Sequence, residues 1–197
     1  MRLPDGQLLL HSPVPIGTET AGAIDELGEV AHILCPNCYH HMHAADAMDI
    51  WPGARLYGPR GLEKKRPDLQ FDEFLEDLTA SSFGGVFEFR HIDGSMLDET
   101  VLFHTPSGTL VTSDLVENFH HNDHWFTRWY LKLGGVYRKV GWHPLLRLMY
   151  RDRRAARQSI EGILQWPIER VVVAHGDNIL EQPVATLRQG LAWLLDQ

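Results

Sequence analysis

Apolar and polar positions along the chain divide it into short elements. Leu3, an Asp5-Gly6 turn and Leu8-Leu9-Leu10 predict an N-terminal hairpin. A helix capped by Thr18 or Thr20 should run through Leu27 and stop at Gly28. Val30 to Leu34 is β-branched and apolar, a strand; Ala44 to Trp51 reads as a short helix before Pro52-Gly53. A short strand over Ala54 to Tyr57 and a helical turn over Gly61 to Lys65 follow. The middle of the chain is different. Val86 to Arg90 alternates with period two, and Thr100 to Phe103 and Thr109 to Thr112 flank a turn at Thr105-Pro106-Ser107-Gly108. Helices are predicted at Trp125 to Leu133, Pro144 to Tyr150 and Arg153 to Trp166, the last stopped by Pro167. Val171 to Ala174 reads as a strand buried on both faces, and Pro183 to Leu195 as a final amphipathic helix. Strands and helices alternate at both ends around a run of strands. That order is compatible with a sheet covered by helices, including two sheets in a layered αββα arrangement, while periodicity alone predicts α/β or α+β and no more.

Bulk composition narrows the class. A length of 197 residues suits a single domain spanning residues 1–197, and 44% apolar with 22% charged residues is ordinary for a soluble globule. The net charge of −8 speaks against a nucleic-acid partner. Lys64-Lys65-Arg66 and Arg151-Asp152-Arg153-Arg154 read as solvated helix faces. No apolar run approaches the ~20 residues of a membrane span. Met1 to Gly6 lacks the apolar stretch of a signal peptide, so a cytoplasmic location and no membrane partner are expected.

The candidate chemistry gathers where strands end. Ile33-Leu34 runs into Cys35-Pro36-Asn37-Cys38-Tyr39-His40-His41-Met42-His43. Phe87 to Phe89 runs into Arg90-His91, Leu110 to Ser113 into Asp114, and Val171 to Ala174 into His175-Gly176-Asp177. Functional groups collect at the C-terminal ends of strands in open α/β sheets. Neutral imidazole and ionised carboxylate are ligands for Zn²⁺ or Fe²⁺. Cys35 and Cys38 could form a redox dithiol or half of a structural zinc site, but partner motifs for either are missing. A buried strand-end thiol beside an incidental one is the simpler reading.

This order of motifs resembles the metallo-β-lactamase fold superfamily: a strand, His-x-His and a short helix, then a strand ending in Asp, then an apolar strand ending in His-Gly. It is closest to a bacterial branch with Pro36-Asn37, His40-His41, Glu99 before Thr100 to His104, Pro106 to Leu110, Asp114, Asn118 and Ala174-His175-Gly176. The resemblance implies an αββα sandwich with its site between two sheets. It also implies one or two Zn or Fe ions, and a metal-activated hydroxide that attacks an ester, amide or phosphoester of a small-molecule substrate. Asp114 matches the bridging carboxylate, the catalytic position, and His175 the last histidine. The N-terminal motif departs from His-x-His-x-Asp-His: after His41-Met42-His43 the carboxylate, Asp46, falls one residue late and Ala47 replaces the last histidine. In a second register Cys38 and His40 form the first pair and His43 the last ligand. His91 lies close to where a middle histidine is expected. The implied metal ligands are therefore His40, His41, His43, Asp46, His91, Asp114 and His175. A non-catalytic member binding a ligand or partner, and a non-haem iron oxidoreductase, are the alternatives.

Other features are less committed. His104 stands at the far end of a hairpin from Asp114, where a structural hydrogen bond suits it. His120, His121 and His124 form a loop cluster over which a solvated role and a lid or ligand role compete. Glu99 could stand near the site or pair with an arginine. Phe126, Trp129, Tyr130 and Tyr137, between Trp125 and Trp142, could be core, pocket wall or an exposed patch that forms a homodimer contact.

Overall fold

The computed structural model describes residues 1–121 and 123–196, in two compact units that meet in sequence after Phe89. Among the described residues there are two four-stranded sheets and seven α-helices. No helix among them is long and apolar enough to cross a membrane.

The first unit is built on parallel strands: β1 (Leu8–His11), β2 (Val30–Leu34), β3 (Arg55–Gly58) and the two-residue β4 (Glu73–Phe74), in that order across the sheet. Parallel neighbours need crossovers, and α1 (Thr18–Asp25), α2 (Ala44–Ile50) and α3 (Arg60–Lys65) supply them. The N-terminal turn forms as expected, with Leu3 N–H bonded to Gln7 O, but the strand after it then joins β2 in parallel. Leu8, Ile33, Leu56, Ala47 and Leu62 pack into one core with Trp51, whose Nε1 donates to Asp25 at 2.7 Å and ties the end of α2 to α1. Gly28 ends the α1 turn at φ +153°, and a Cβ there would lie 2.5 Å from Gly6 O. Glycine is therefore required.

The second unit holds β5 (Phe87–His91), β6 (Thr100–His104), β7 (Thr109–Thr112) and β8 (Arg170–Val173), in that order. Phe87 to Phe89 of β5 belong to the first unit by chain position. β6 and β7 form the expected antiparallel hairpin, with Gly108 at φ +57° closing the turn, and β8 pairs parallel to β7. The helices are α4 (Trp125–Leu133), α5 (Arg153–Ile163), α6 (Pro183–Gly190) and α7 (Ala192–Leu195). Asp152 caps α5 by accepting from Ala155 N–H at 3.0 Å. Val101, Phe103, Leu110, Val171, Ile160, Ile163, Leu187 and Leu194 share a separate core.

Three expectations about elements are corrected. Residues 144–150 contain only a 3₁₀ turn, Leu146–Met149, because Pro144 and the contacts of His143 and Arg147 hold the segment as a loop. The C-terminal helix breaks at Leu191, after Gly190, whose missing side chain admits Val140 O. β8 is one-sided, since Val172 is 38% exposed while Val171 and Val173 are buried.

Candidate metal centre

Register explains how the second unit assembles its functional groups. In the parallel pair, Thr112 lies opposite Val173. Two further residues on each strand reach Asp114 and His175, so the pairing delivers both side chains to the same end of the sheet. Their contact follows: His175 Nε2 and Asp114 Oδ1 are 3.0 Å apart. In the antiparallel pair, Leu102 lies opposite Val111. Three residues back along β6 and three forward along β7 bring Glu99 opposite Asp114. Glu99, fully buried, accepts from Thr112 Oγ1 at 2.9 Å, Ser113 N–H at 2.8 Å and Asp114 N–H at 3.0 Å.

The loop after β8 is set with equal care. Gly176 has φ +102°, and a Cβ on it would sit 2.1 Å from Asn118 O. Asn118 N–H donates to His175 O at 2.9 Å, and Asn118 Nδ2 donates to Asp177 O at 2.7 Å. Thus Asn118 holds both sides of the turn that carries His175.

Electrostatics follow from this packing. The hydrogen bond to Asp114 raises the His175 pKa, overcoming partial burial. Burial, then the charge on Asp114, push Glu99 up to about 7 despite its three donors. Glu117, also partly buried, is raised by burial, while His175 acts to lower it. In the sequence, Glu117 is marked only as a carboxylate directly after the apolar pair Leu115-Val116. Sequence had left open whether Glu99 faces the site or an arginine, and the hairpin register puts it behind Asp114.

The candidates of the first unit have local partners. Buried Asn37 accepts from the backbone N–H of Tyr39 and of His40, both at 2.8 Å, and shapes the loop leaving β2. Ser12, at φ +52° just past β1, has its Oγ 2.6 Å from His40 Nδ1. Arg66 Nη1 donates to His41 Nδ1 at 2.9 Å. Burial, Lys65 and Arg66 lower the pKa of His41. His43 Nδ1 and Asp46 Oδ2 form a 2.9 Å pair at the start of α2. Cys35 is buried and its thiol is pushed up to about 12 by burial, as suits a core residue rather than a ligand. In the second unit His91 is engaged with Asp98 at 3.4 Å and Thr100 at 3.4 Å. So within the units, Asp114 meets His175 and His43 meets Asp46, while His41 and His91 have other partners. His104 Nδ1 bonds Ser107 Oγ at 2.7 Å in the turn, the structural role expected of it. His120, His121 and His124 are exposed; Asn122 of that cluster lies outside the described residues.

The donors of the second unit fit a metal. A carboxylate oxygen and an imidazole nitrogen, already adjacent and with His175 37% exposed, are the donor types that Zn²⁺ and iron take.

Comparison with solved structures places this geometry in a known fold. DIM-1 metallo-beta-lactamase superposes with a TM-score of 0.64 over 98% of this chain and 83% of that one, at 13% identity. The chain has the metallo-β-lactamase fold. A metallo-beta-lactamase from Pontibacter korlensis gives a TM-score of 0.64 over 95% of this chain and 80% of that one, at 15% identity. The chemotaxis sensor ODP, in a structure of its peroxy diiron species, gives 0.63 over 98% and 83%, at 15% identity. No family model matches the chain, and no curated protein matches it in sequence. Within the metallo-β-lactamase fold, this sequence is a divergent version.

Proposed function

We propose that this protein is a metal-dependent, hydrolase-like member of the metallo-β-lactamase fold, acting on an ester, amide or phosphoester. The observation that carries the proposal is the Asp114–His175 contact at the matched ends of β7 and β8, with Glu99 seated behind Asp114. Asp114 and His175 would hold the ion. Within the first unit, His40 is held at Nδ1 by Ser12, the kind of second contact that orients a ligating imidazole. His41, beside Arg66, and His43, paired with Asp46, are less suited. When bound, the ion would supply Lewis-acid polarisation and bring the pKa of water from 15.7 to about 7. The protein's own part is to orient Asp114 through its backbone and to hold His175 through Asn118.

Metal analysis of untagged protein grown in supplemented medium tests the reading. Zinc or iron near one or two equivalents is expected, reduced in Asp114→Ala, His175→Ala and His40→Ala. A metal content near zero in the unaltered protein would sink it. The engagement of His41 by Arg66 and of His43 by Asp46 favours a second reading, a non-catalytic member that binds a ligand. Stoichiometric metal without hydrolysis across ester, amide and phosphoester substrates would support that alternative. The diiron sensor among the similar structures makes iron the second metal to assay.

A further inference from the structure

The charge of the chain reverses over residues 124–151. The protein carries a net −8, yet this span contains Arg128, Lys132, Arg138, Lys139, Arg147 and Arg151 and no Asp or Glu. α4 lies at its start. At 100° per residue, Trp125, Phe126, Trp129 and Leu133 fall on one arc of about 100°. An amphipathic helix on a globular protein ordinarily turns such a stripe inward. α4 does the opposite: Trp125 is 69% exposed, Phe126 52%, Trp129 54% and Leu133 70%, while Leu131 on the other side is buried. The rings touch in sequence, with centroids 5.9 Å apart for Trp125–Phe126 and for Phe126–Trp129. They form a continuous ridge. Leu145 and Leu148, later in the same span, are exposed as well.

Beyond Gly134-Gly135 the chain enters a cleft of about 410 Å³. Arg138, Lys139 and Arg147 line it with His120, Thr186 and Gln189, and none of its described lining residues is acidic. A cleft with three cations and neutral hydrogen-bonding groups is complementary to a phosphate.

We propose that residues 124–151 dock the protein onto an anionic phospholipid surface. α4 lies in the interface with its aromatic ridge and Leu133 among the acyl chains, and the Arg138–Lys139–Arg147 cleft takes a lipid phosphate. Aromatic and Leu side chains on one face and Lys and Arg around them are the composition of an interfacial helix, which needs no span. A second copy fits less well, because a two-fold contact through this face sets its cations against one another. Nucleic acid fits less well too: Leu133, Leu145 and Leu148 offer no base a stacking surface but bury well in hydrocarbon.

Cosedimentation of the full chain with vesicles tests the proposal. Pelleting is expected with phosphatidylcholine vesicles containing phosphatidylserine and not with phosphatidylcholine alone, weakening as salt rises. Tryptophan emission should shift to the blue on binding. Arg138→Glu with Lys139→Glu should weaken partitioning roughly 30-fold or more. Trp125→Ala with Trp129→Ala should weaken it roughly tenfold or more. These positions are exposed, so circular dichroism and melting should be unchanged; should either pair perturb them, Leu133→Ser serves as the ridge variant and Lys132→Glu as the charge variant. Equal pelleting with both vesicle types, none with the anionic ones, or unchanged pelleting of the charge variants would overturn the proposal. So would a dimer dispersed by the Trp pair, or an oligonucleotide complex lost on charge reversal, where anionic vesicles do not bind.

Discussion

Replacing Glu99 separates two opposing effects at the centre of the second unit. Glu99 is fully buried and accepts from Thr112, Ser113 and Asp114. Those bonds favour its ionised form. Burial and Asp114 oppose it and win, since the pKa rises from 4.5 to about 7. A carboxyl whose pKa is raised on folding contributes stability that is present below the unfolded value and lost as pH climbs through the folded one. Between about pH 5 and about pH 8 the unaltered protein should therefore lose about 2–3 kcal/mol through this group. Glu99→Gln removes the titration but turns an amide NH₂ toward a backbone N–H, leaving at least one buried donor without an acceptor. That costs about 1–3 kcal/mol at any pH. The variant should be clearly less stable than the parent near pH 5, with the gap narrowing to near zero or reversing near pH 8. Glu99→Ala strands all three donors and should cost about 2 kcal/mol more than Glu99→Gln at each pH. Urea unfolding of chelator-treated protein at the two pH values measures both. A Gln penalty independent of pH, or one that grows as pH rises, would refute the assignment of Glu99 as a buried carboxyl opposed by its surroundings.

Further predictions concern the site and the two cores. Because the bond to Asp114 is the main cause of the raised His175 pKa, Asp114→Asn in metal-free protein should lower it, read from imidazole proton shifts against pH; an unchanged titration would show that the contact does not persist in solution. The stability that this pair contributes is present at low pH and disappears as pH rises through the raised His175 value. Gly176→Ala should destabilise by about 2 kcal/mol or more, measured by urea unfolding, because the positive φ and the 2.1 Å approach of its Cβ to Asn118 O must both be relieved. Ile33→Ala in the first core and Leu110→Ala in the second, both fully buried, should each cost about 2–5 kcal/mol; a cost under about 1 kcal/mol would mean that the strand does not pack as described.

Local pattern carried much of this protein. β2, β7 and α4 occupy the residues that the local pattern assigns, because each signal lies within one element: a β-branched run, a short apolar stretch beside a turn, a helical segment. The strand exits also singled out Asp114 and His175, which the structure brings into contact, since the ends of strands are fixed by the same pattern that fixes the strands. Tertiary structure decided everything that depends on which strand lies beside which. The parallel register of β7 and β8 makes neighbours of Asp114 and His175, sixty-one residues apart, and the antiparallel register of β6 and β7 turns Glu99 from an unassigned acid into the support behind Asp114. Direction was equally out of reach. The repeat in α4 shows that Trp125, Phe126, Trp129 and Leu133 share a face, but a stripe looks the same in sequence whether it points to a core or to solvent. Only the packing of the neighbouring elements, which buries Leu131 and leaves the ridge outside, settles which way it faces.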